Sequence, residues 1–329
     1  MISYKLIFRS VFYLVLLLGG CLPMQAQQSV QHYNIYFSQV QLKGQSLLTL
    51  RKFERNGKPQ FLVVDPETLL TRTVPAAGLA TKPLSWDQVL TIVKQGPYGK
   101  ASEVARLQSL ALQDAGLTHG FPKEHGVTLT IDLCPSHKPL DRVIFSALIR
   151  TFASIEKPVP VALSVTGRWM LTHEDDLEWL KGLVKSGDLE ITWTNHTYNH
   201  HFSLTAPLKT NFLLEPGTDL NFEILGTEVA MLQHGLIPSV FFRFPGLVSD
   251  QQVVDKVLSY GLLPVGSDAW LAKGQQPNAG SIVLIHGNGN EPVGVKDFIS
   301  LLKRKQRFIT DRQWLMYDLS ESVEDEFRQ

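Results

Sequence analysis

Six short apolar runs punctuate the second half of the chain, and five of them end on an ionisable residue. Val127–Ile131 runs into Asp132, and Leu189–Trp193 into Thr194-Asn195-His196-Thr197-Tyr198-Asn199-His200. Val240–Phe242 leads to Arg243-Phe244-Pro245-Gly246, Leu262–Val265 to Asp268-Ala269-Trp270, and Ile282–Ile285 to His286. His196 and His200 are four apart, so on a helix both imidazoles share one face and can ligate one divalent metal. Asp132 beside such an ion suits a general base that takes a proton from water. His286 suits the acid that protonates a leaving amine or alkoxide. Arg243 is then the cation that holds Asp132 ionised, and Asp268 the anion that keeps His286 protonated. Taken singly these residues are ordinary: Asp is a favoured turn residue, and an Arg can be a plain surface ion pair. Their recurrence at successive run ends is the signal.

The elements that would place them are strands alternating with amphipathic helices. Val127–Leu133, Val159–Val165, Leu189–Trp193, Val240–Phe244, Leu262–Val265 and Ile282–Ile285 are rich in Val, Ile and Thr. Between them lie helical candidates at Asp175–Lys185, Asn221–His234 and Gln251–Ser259. This alternation predicts an α/β domain with a parallel sheet, open or closed into a barrel, whose chemistry gathers at the C-terminal strand ends.

Upstream, His32–Phe37, Ser46–Leu50 and Phe61–Val64 alternate as strands, with a turn at Asp65-Pro66. Ser85 is placed to cap a helix, and residues 100–115 carry helical spacing. The chain therefore divides into a segment 1–26, a β-rich accessory unit with helices at 27–125, and an α/β domain at 126–329.

Lys5, Arg9, the apolar run Val11–Leu18 and Ala26 form a secretory signal pattern too short to span a membrane comfortably. Two exits compete. Met24-Gln25-Ala26 suits ordinary signal cleavage, whereas Leu18-Gly19-Gly20-Cys21 resembles a bacterial lipobox that would lipidate Cys21. Either predicts export across a bacterial inner membrane, to the periplasm or as an outer-membrane lipoprotein, with membrane contact only through a lipid on Cys21. The 329 residues carry 31 basic and 31 acidic side chains. Removal of the first segment takes away two basic residues and no acid, so nothing favours binding to nucleic acid. No protein partner is indicated. The two cysteines are Cys21 and Cys134. With Cys21 processed no internal disulfide can form, and Cys134 reads as a small buried residue.

From about residue 126 to 290 the order of motifs resembles the polysaccharide deacetylase family, carbohydrate esterase family four. Thr130-Ile131-Asp132-Leu133-Cys134, His196-Thr197-Tyr198-Asn199-His200, Arg243-Phe244-Pro245-Gly246, Asp268-Ala269-Trp270 and Leu284-Ile285-His286 stand where that family carries its five motifs. The resemblance implies a distorted, incomplete (β/α) barrel and a divalent metal, usually zinc. It implies removal of N- or O-acetyl groups from a polysaccharide. Asp132 would be the base, His196 and His200 the metal ligands and His286 the acid. Trp270 and Leu284 would shape the acetyl pocket, and the backbone N–H at Gly246 would help hold the oxyanion. One departure is serious: Leu133 stands where the family carries its third, carboxylate ligand. The replacement would be Asp132 itself, water, or His137. The expected activity is that of a secreted, metal-dependent glycan deacetylase. A catalytically weakened glycan-binding protein on the same scaffold is the alternative that Leu133 motivates.

Overall fold

The computed structural model describes residues 28–108, 111–120 and 125–328. The signal-like segment and Cys21 lie outside the described residues. The first elements are β1 (Val30–Leu42), β2 (Gln45–Arg55), β3 (Lys58–Val64) and β4 (Thr71–Pro75), an antiparallel sheet in that order. The β2–β3 turn is Asn56-Gly57, with φ of 51° and 72°. Two positive φ values in a two-residue loop suit the right-handed twist of a hairpin. Next come α1 (Trp86–Val93) and α2 (Pro97–Leu107). Ser85 caps α1, and Gln88 returns the bond to the Ser85 N–H. Helix α2 stops at Leu107, short of the helical spacing that continues to residue 115.

The α/β part contains β5 (Gly126–Leu133), α3 (Arg142–Phe152), β6 (Val159–Val165), α4 (Gly167–Thr172), α5 (Glu174–Lys185) and β7 (Leu189–Asn195). It continues with α6 (Thr227–Gln233), β8 (Phe241–Phe242), α7 (Gln251–Ser259), β9 (Leu263–Pro264), β10 (Ala269–Trp270), β11 (Ile282–His286), α8 (Pro292–Thr310), β12 (Leu315–Met316) and α9 (Leu319–Arg328). The sheet order is β10-β11-β5-β6-β7-β8-β9, with β12 beside the start of β5, and each pairing is parallel. It is a curled, incomplete barrel. The chain before β5 bridges part of the opening: Leu117 pairs with Val265, and the Gly120 N–H reaches the Gly280 carbonyl at 2.9 Å.

Central strands buried on both faces read as continuous apolar runs, and β5 and β6 are buried along their whole lengths. Their outward residues, among them Leu129, Ile131, Leu133, Leu163 and Val165, pack with Ile144, Trp169 and Phe298 of the helix layer. A second core joins the two parts of the chain. Phe37, Leu50, Val64 and Tyr98 from the first hundred residues pack with Ala162, Phe241, Leu263 and Ile282 of the barrel. Across the same junction Arg51 grips Glu228 of α6 through two bonds of 2.7 and 2.9 Å, both side chains fully buried. The Tyr33 hydroxyl donates to the same carboxylate at 2.7 Å.

Two local differences from the sequence reading bear on the site. Residues 196–200 form an irregular loop rather than a helix start. The segment expected as a helix over Asn221–His234 splits into a π-helical turn, Phe222–Gly226, followed by α6. A π-turn rotates the side chains that follow it and is often found beside functional sites.

Candidate metal and hydrolytic site

Strand alternation decides what β5 presents. Asp132 and Cys134 are two residues apart, so they face the same side at the strand end, and Leu133 faces the opposite side. Leu133 is fully buried in the core under the helices. The position from which the motif pattern expects a carboxylate ligand therefore points away from the site.

His196 follows β7 directly. Its Nδ1 lies 2.9 Å from the Arg243 carbonyl oxygen. A carbonyl only accepts, so Nδ1 carries the proton, and in the neutral ring Nε2 keeps a free lone pair. Ligand histidines are usually oriented in this way by an outer partner. That Nε2 lies 3.6 Å from Cys134 Sγ and 3.8 Å from an Asp132 carboxylate oxygen. His200 comes back over it, with the two ring centroids 4.7 Å apart. The His200 Nε2 is buried without a hydrogen-bond partner. Cys134, His196 and His200 together bring one sulfur and two nitrogens within 4.8 Å of one another.

The loop that brings the second histidine back is held from the π-turn. Glu223 accepts the Tyr198 and Asn199 N–H groups at 2.9 Å each and the Asn199 side chain at 2.7 Å. Asn195 accepts the Thr197 N–H and donates to the Ile224 carbonyl. Thr197 and His200 have φ of 68° and 49°, a region that side chains, β-branched ones above all, occupy only when their surroundings impose it. Glu223→Ala removes the acceptor of two N–H groups. We expect a stability loss of ~1–3 kcal/mol in urea unfolding; an unchanged midpoint would show that the loop holds its shape unaided.

His286 ends β11 and is the register partner of Asp132 on β5, so the two stand side by side at one rim. Asp268 is not its counter-ion, contrary to the sequence expectation. The Asp268 carboxylate pairs with His119 at 2.6 Å and accepts the Ile282 N–H and the Ser281 hydroxyl. It tethers the start of β11 instead. The anion beside His286 is Glu291, 2.8 Å from Nδ1. The two form an ion pair when the imidazole is protonated. Glu291 also accepts the Trp270 indole N–H at 2.8 Å.

The titratable groups polarise one another. Burial works against charge on Asp132, but Arg243, His196 and His286 outweigh it and hold the carboxyl below its ordinary range. Burial likewise opposes the cation on His286, yet Cys134, Glu291 and Asp132 raise its imidazole well above the ordinary value. Arg243 is fully buried, and its guanidinium donates to Thr130 Oγ1 at 2.8 Å.

Of the third-ligand candidates read from the sequence, His137 is exposed on the loop after β5, outside the cluster. Asp132 stands at the 3.8 Å contact already given. Cys134, which is buried as its sequence context predicts, is the third member of the cluster. Its period-two relation to Asp132 was the available signal. Glu291 and Glu223 had none, because they reach the site from separate segments. His201, next to His200 in sequence, turns outward to pair with Glu215.

Trp270, Leu284 and Leu247 form a small apolar cluster, and the Trp270 ring lies 5.8 Å from that of His286. Gly246 has φ of 59°, and a Cβ there would fall 2.6 Å from the Phe212 ring. Phe212 in turn packs edge-on against His200 at 5.7 Å. Gly246→Ala is therefore expected to cost at least the ~1–2 kcal/mol of a left-handed backbone and to displace Phe212. A melting curve and Phe212 side-chain NMR shifts check this; a wild-type melting temperature would sink it. Beside the histidine loop, Arg168, Asn199, His201, Phe212 and Glu215 line a groove of about 490 Å³. A separate groove of about 960 Å³ beside Trp86 and Asp255 contains none of these groups.

No described helix is long and apolar enough to cross a membrane. A family model described as the RP012 protein N-terminal domain matches residues 31–99, the span of β1–β4, α1 and the start of α2. Among solved structures the chain is similar to a family 4 carbohydrate esterase from Bacillus anthracis, with 16% identity over 68% of this chain and 90% of that one, at a TM-score of 0.47. It is similar to the family 4 carbohydrate esterase PdaA of Bacillus subtilis, with 17% identity over 66% and 94%, at 0.44. It is similar also to a mutant of a family 4 pseudoenzyme with restored enzymatic activity, with 14% identity over 91% and 94%, at 0.43.

Proposed function

We propose that this strand-end cluster hydrolyses acetyl groups on a glycan. The observation that carries the reading is the pairing of Asp132 and His286. They are neighbours across two strands, with their proton affinities pushed in opposite directions. Such divergence assigns a base and an acid to one reaction centre. Asp132 takes a proton from water as the water oxygen bonds to the acyl carbon. His286 has Nδ1 turned to Glu291, so Nε2 delivers its proton to the departing amine nitrogen or alkoxide oxygen as the acyl bond breaks. Acetate and a free amino or hydroxyl group result. A divalent cation, when bound at the imidazoles, supplies positive charge that polarises a carbonyl and acidifies water. The residues suit such an ion, since a buried, unpartnered His200 Nε2 and a His196 Nε2 oriented toward Cys134 Sγ belong to one cluster of two imidazoles and a sulfur donor.

The small acyl group follows from the Trp270, Leu284 and Leu247 wall beside His286, and the sugar from the motif order and the polar groove at the histidine loop. Export, by either signal reading, would place the substrate in the cell envelope. The test is acetate release from acetylated oligosaccharides of peptidoglycan, chitin-like and exopolysaccharide type, with and without chelator. Chelator-sensitive release from one class is expected. Protein that retains its metal and binds a glycan, yet releases no acetate, would favour the glycan-binding alternative. The burial of the His286 side chain, 13% exposed, is the observation on that side.

A further inference from the structure

We infer that Cys134 supplies the third protein ligand of the site, which is a sulfur–nitrogen–nitrogen centre built for a thiophilic ion. This rests on the reading of His196 and His200 as a metal pair and extends it to the choice of metal. Three independent features converge on one point. The Cys134 side chain shares the Asp132 face at the end of β5 and is 6% exposed. The His196 ring is fixed with Nε2 toward that sulfur. The His200 Nε2 is buried and unsatisfied. An orphaned polar atom inside a protein costs stability unless a partner completes it.

The spacing is also that of a metal site. Bonds of about 2.3 Å to sulfur and 2.0–2.1 Å to nitrogen, at tetrahedral angles, put S and N about 3.5 Å apart. The sulfur and His196 Nε2 are 3.6 Å apart. The remaining separations, up to 4.8 Å, close by at most about 1.5 Å if His200 tilts inward. On binding, the Cys134 S–H gives its proton to solvent as the sulfur–metal bond forms, and both imidazoles bind through nitrogen lone pairs. Thiolate and imidazole donors favour zinc and cobalt over magnesium and manganese, which prefer oxygen. Leu133, packed under the helices, then needs no substitute at its own position: the ligand has moved one residue along the strand, to the face that meets the histidines.

Full-length protein without its signal segment is loaded with zinc or cobalt and measured by metal analysis, competition titration and absorbance. One ion per chain is expected. The cobalt form should show a thiolate-to-metal charge-transfer band in the near ultraviolet. Cys134→Ser should lose that band and weaken binding about 100-fold, at least the upper end of what outer-shell changes cost. Cys134→Asp should keep binding without the band and accept manganese. His196→Ala, which also loses a ligand, controls for the histidine pair. Wild-type protein without the band, or Cys134→Ser binding within threefold of wild type, overturns the inference. Protein that holds no metal overturns it too. A band in protein that releases no acetate leaves this ligand set standing and removes the deacetylase reading, so the two failures are distinguishable.

Discussion

Asp132→Asn should lower acetate release about 10²–10⁴-fold, the range that a positioned base contributes. The amide keeps the shape of the carboxylate but cannot take a proton, so substrate binding and the metal pair should survive. His286→Ala should fall by a similar factor on acetamido and acetyl-ester sugars, for a different reason. It removes the proton donor to the leaving group. The two variants therefore part on an ester with a stable leaving group. On 4-nitrophenyl acetate, whose phenolate departs unprotonated, His286→Ala should recover most of the wild-type rate and Asp132→Asn should not. Because Arg243 is fully buried, Asp132→Asn also strips that cation of its main counter-charge. Melting temperatures must therefore accompany the kinetics, and the Asp132→Asn rate should be taken well below its transition. Near wild-type acetate release from folded Asp132→Asn would end the base assignment. Equal losses in both variants on 4-nitrophenyl acetate would end the division of labour.

What could be read from the sequence is what period and type encode. Fully buried strands such as β5 and β6 announce themselves as unbroken apolar runs, and Asp132 near the end of β5 and His286 at the end of β11 were visible as charge where apolar runs stop. What escaped depended on chain direction at irregular places. Four-residue spacing suggested a helix for His196 and His200. The structure instead uses positive φ at Thr197 and His200, held by Glu223 from a π-turn over twenty residues away. No local pattern encodes that contact. Asp268 and Glu291 exchanged roles for a similar reason. Asp268 immediately precedes the neighbouring strand β10 but is taken by His119 and the start of β11, whereas Glu291 reaches back from the loop before α8. Cys134 was the one legible omission. Linear comparison fixes attention on Leu133, while the period of a strand pairs 132 with 134.

The second large effect lies away from the chemistry, at the joint between the first sheet and the barrel. Glu228→Gln should cost ~3–5 kcal/mol, because it leaves Arg51 charged and fully buried without its partner. The penalty comes from desolvation rather than from lost attraction. It follows that replacing both groups, as in Arg51→Met with Glu228→Leu, should cost much less than the single change. The excess over an ideal hydrophobic swap should reflect the Tyr33 hydroxyl and the Tyr260 carbonyl, which both bond this pair and would lose their partners. Urea unfolding of the wild type, Arg51→Met, Glu228→Leu and the double variant measures the coupling, with Glu228→Gln run beside them. A Glu228→Gln loss under ~1 kcal/mol would mean that water reaches Arg51. The joint also bears on the site. Glu228 sits on α6 directly after the π-turn that carries Glu223, and Glu223 holds the histidine loop. A sheet loosened at Arg51 should therefore release the Tyr198 and Asn199 amides to hydrogen exchange before the core of β5 and β6 opens. If those amides exchange only with global unfolding in Glu228→Gln, the first hundred residues stabilise the barrel without positioning its site.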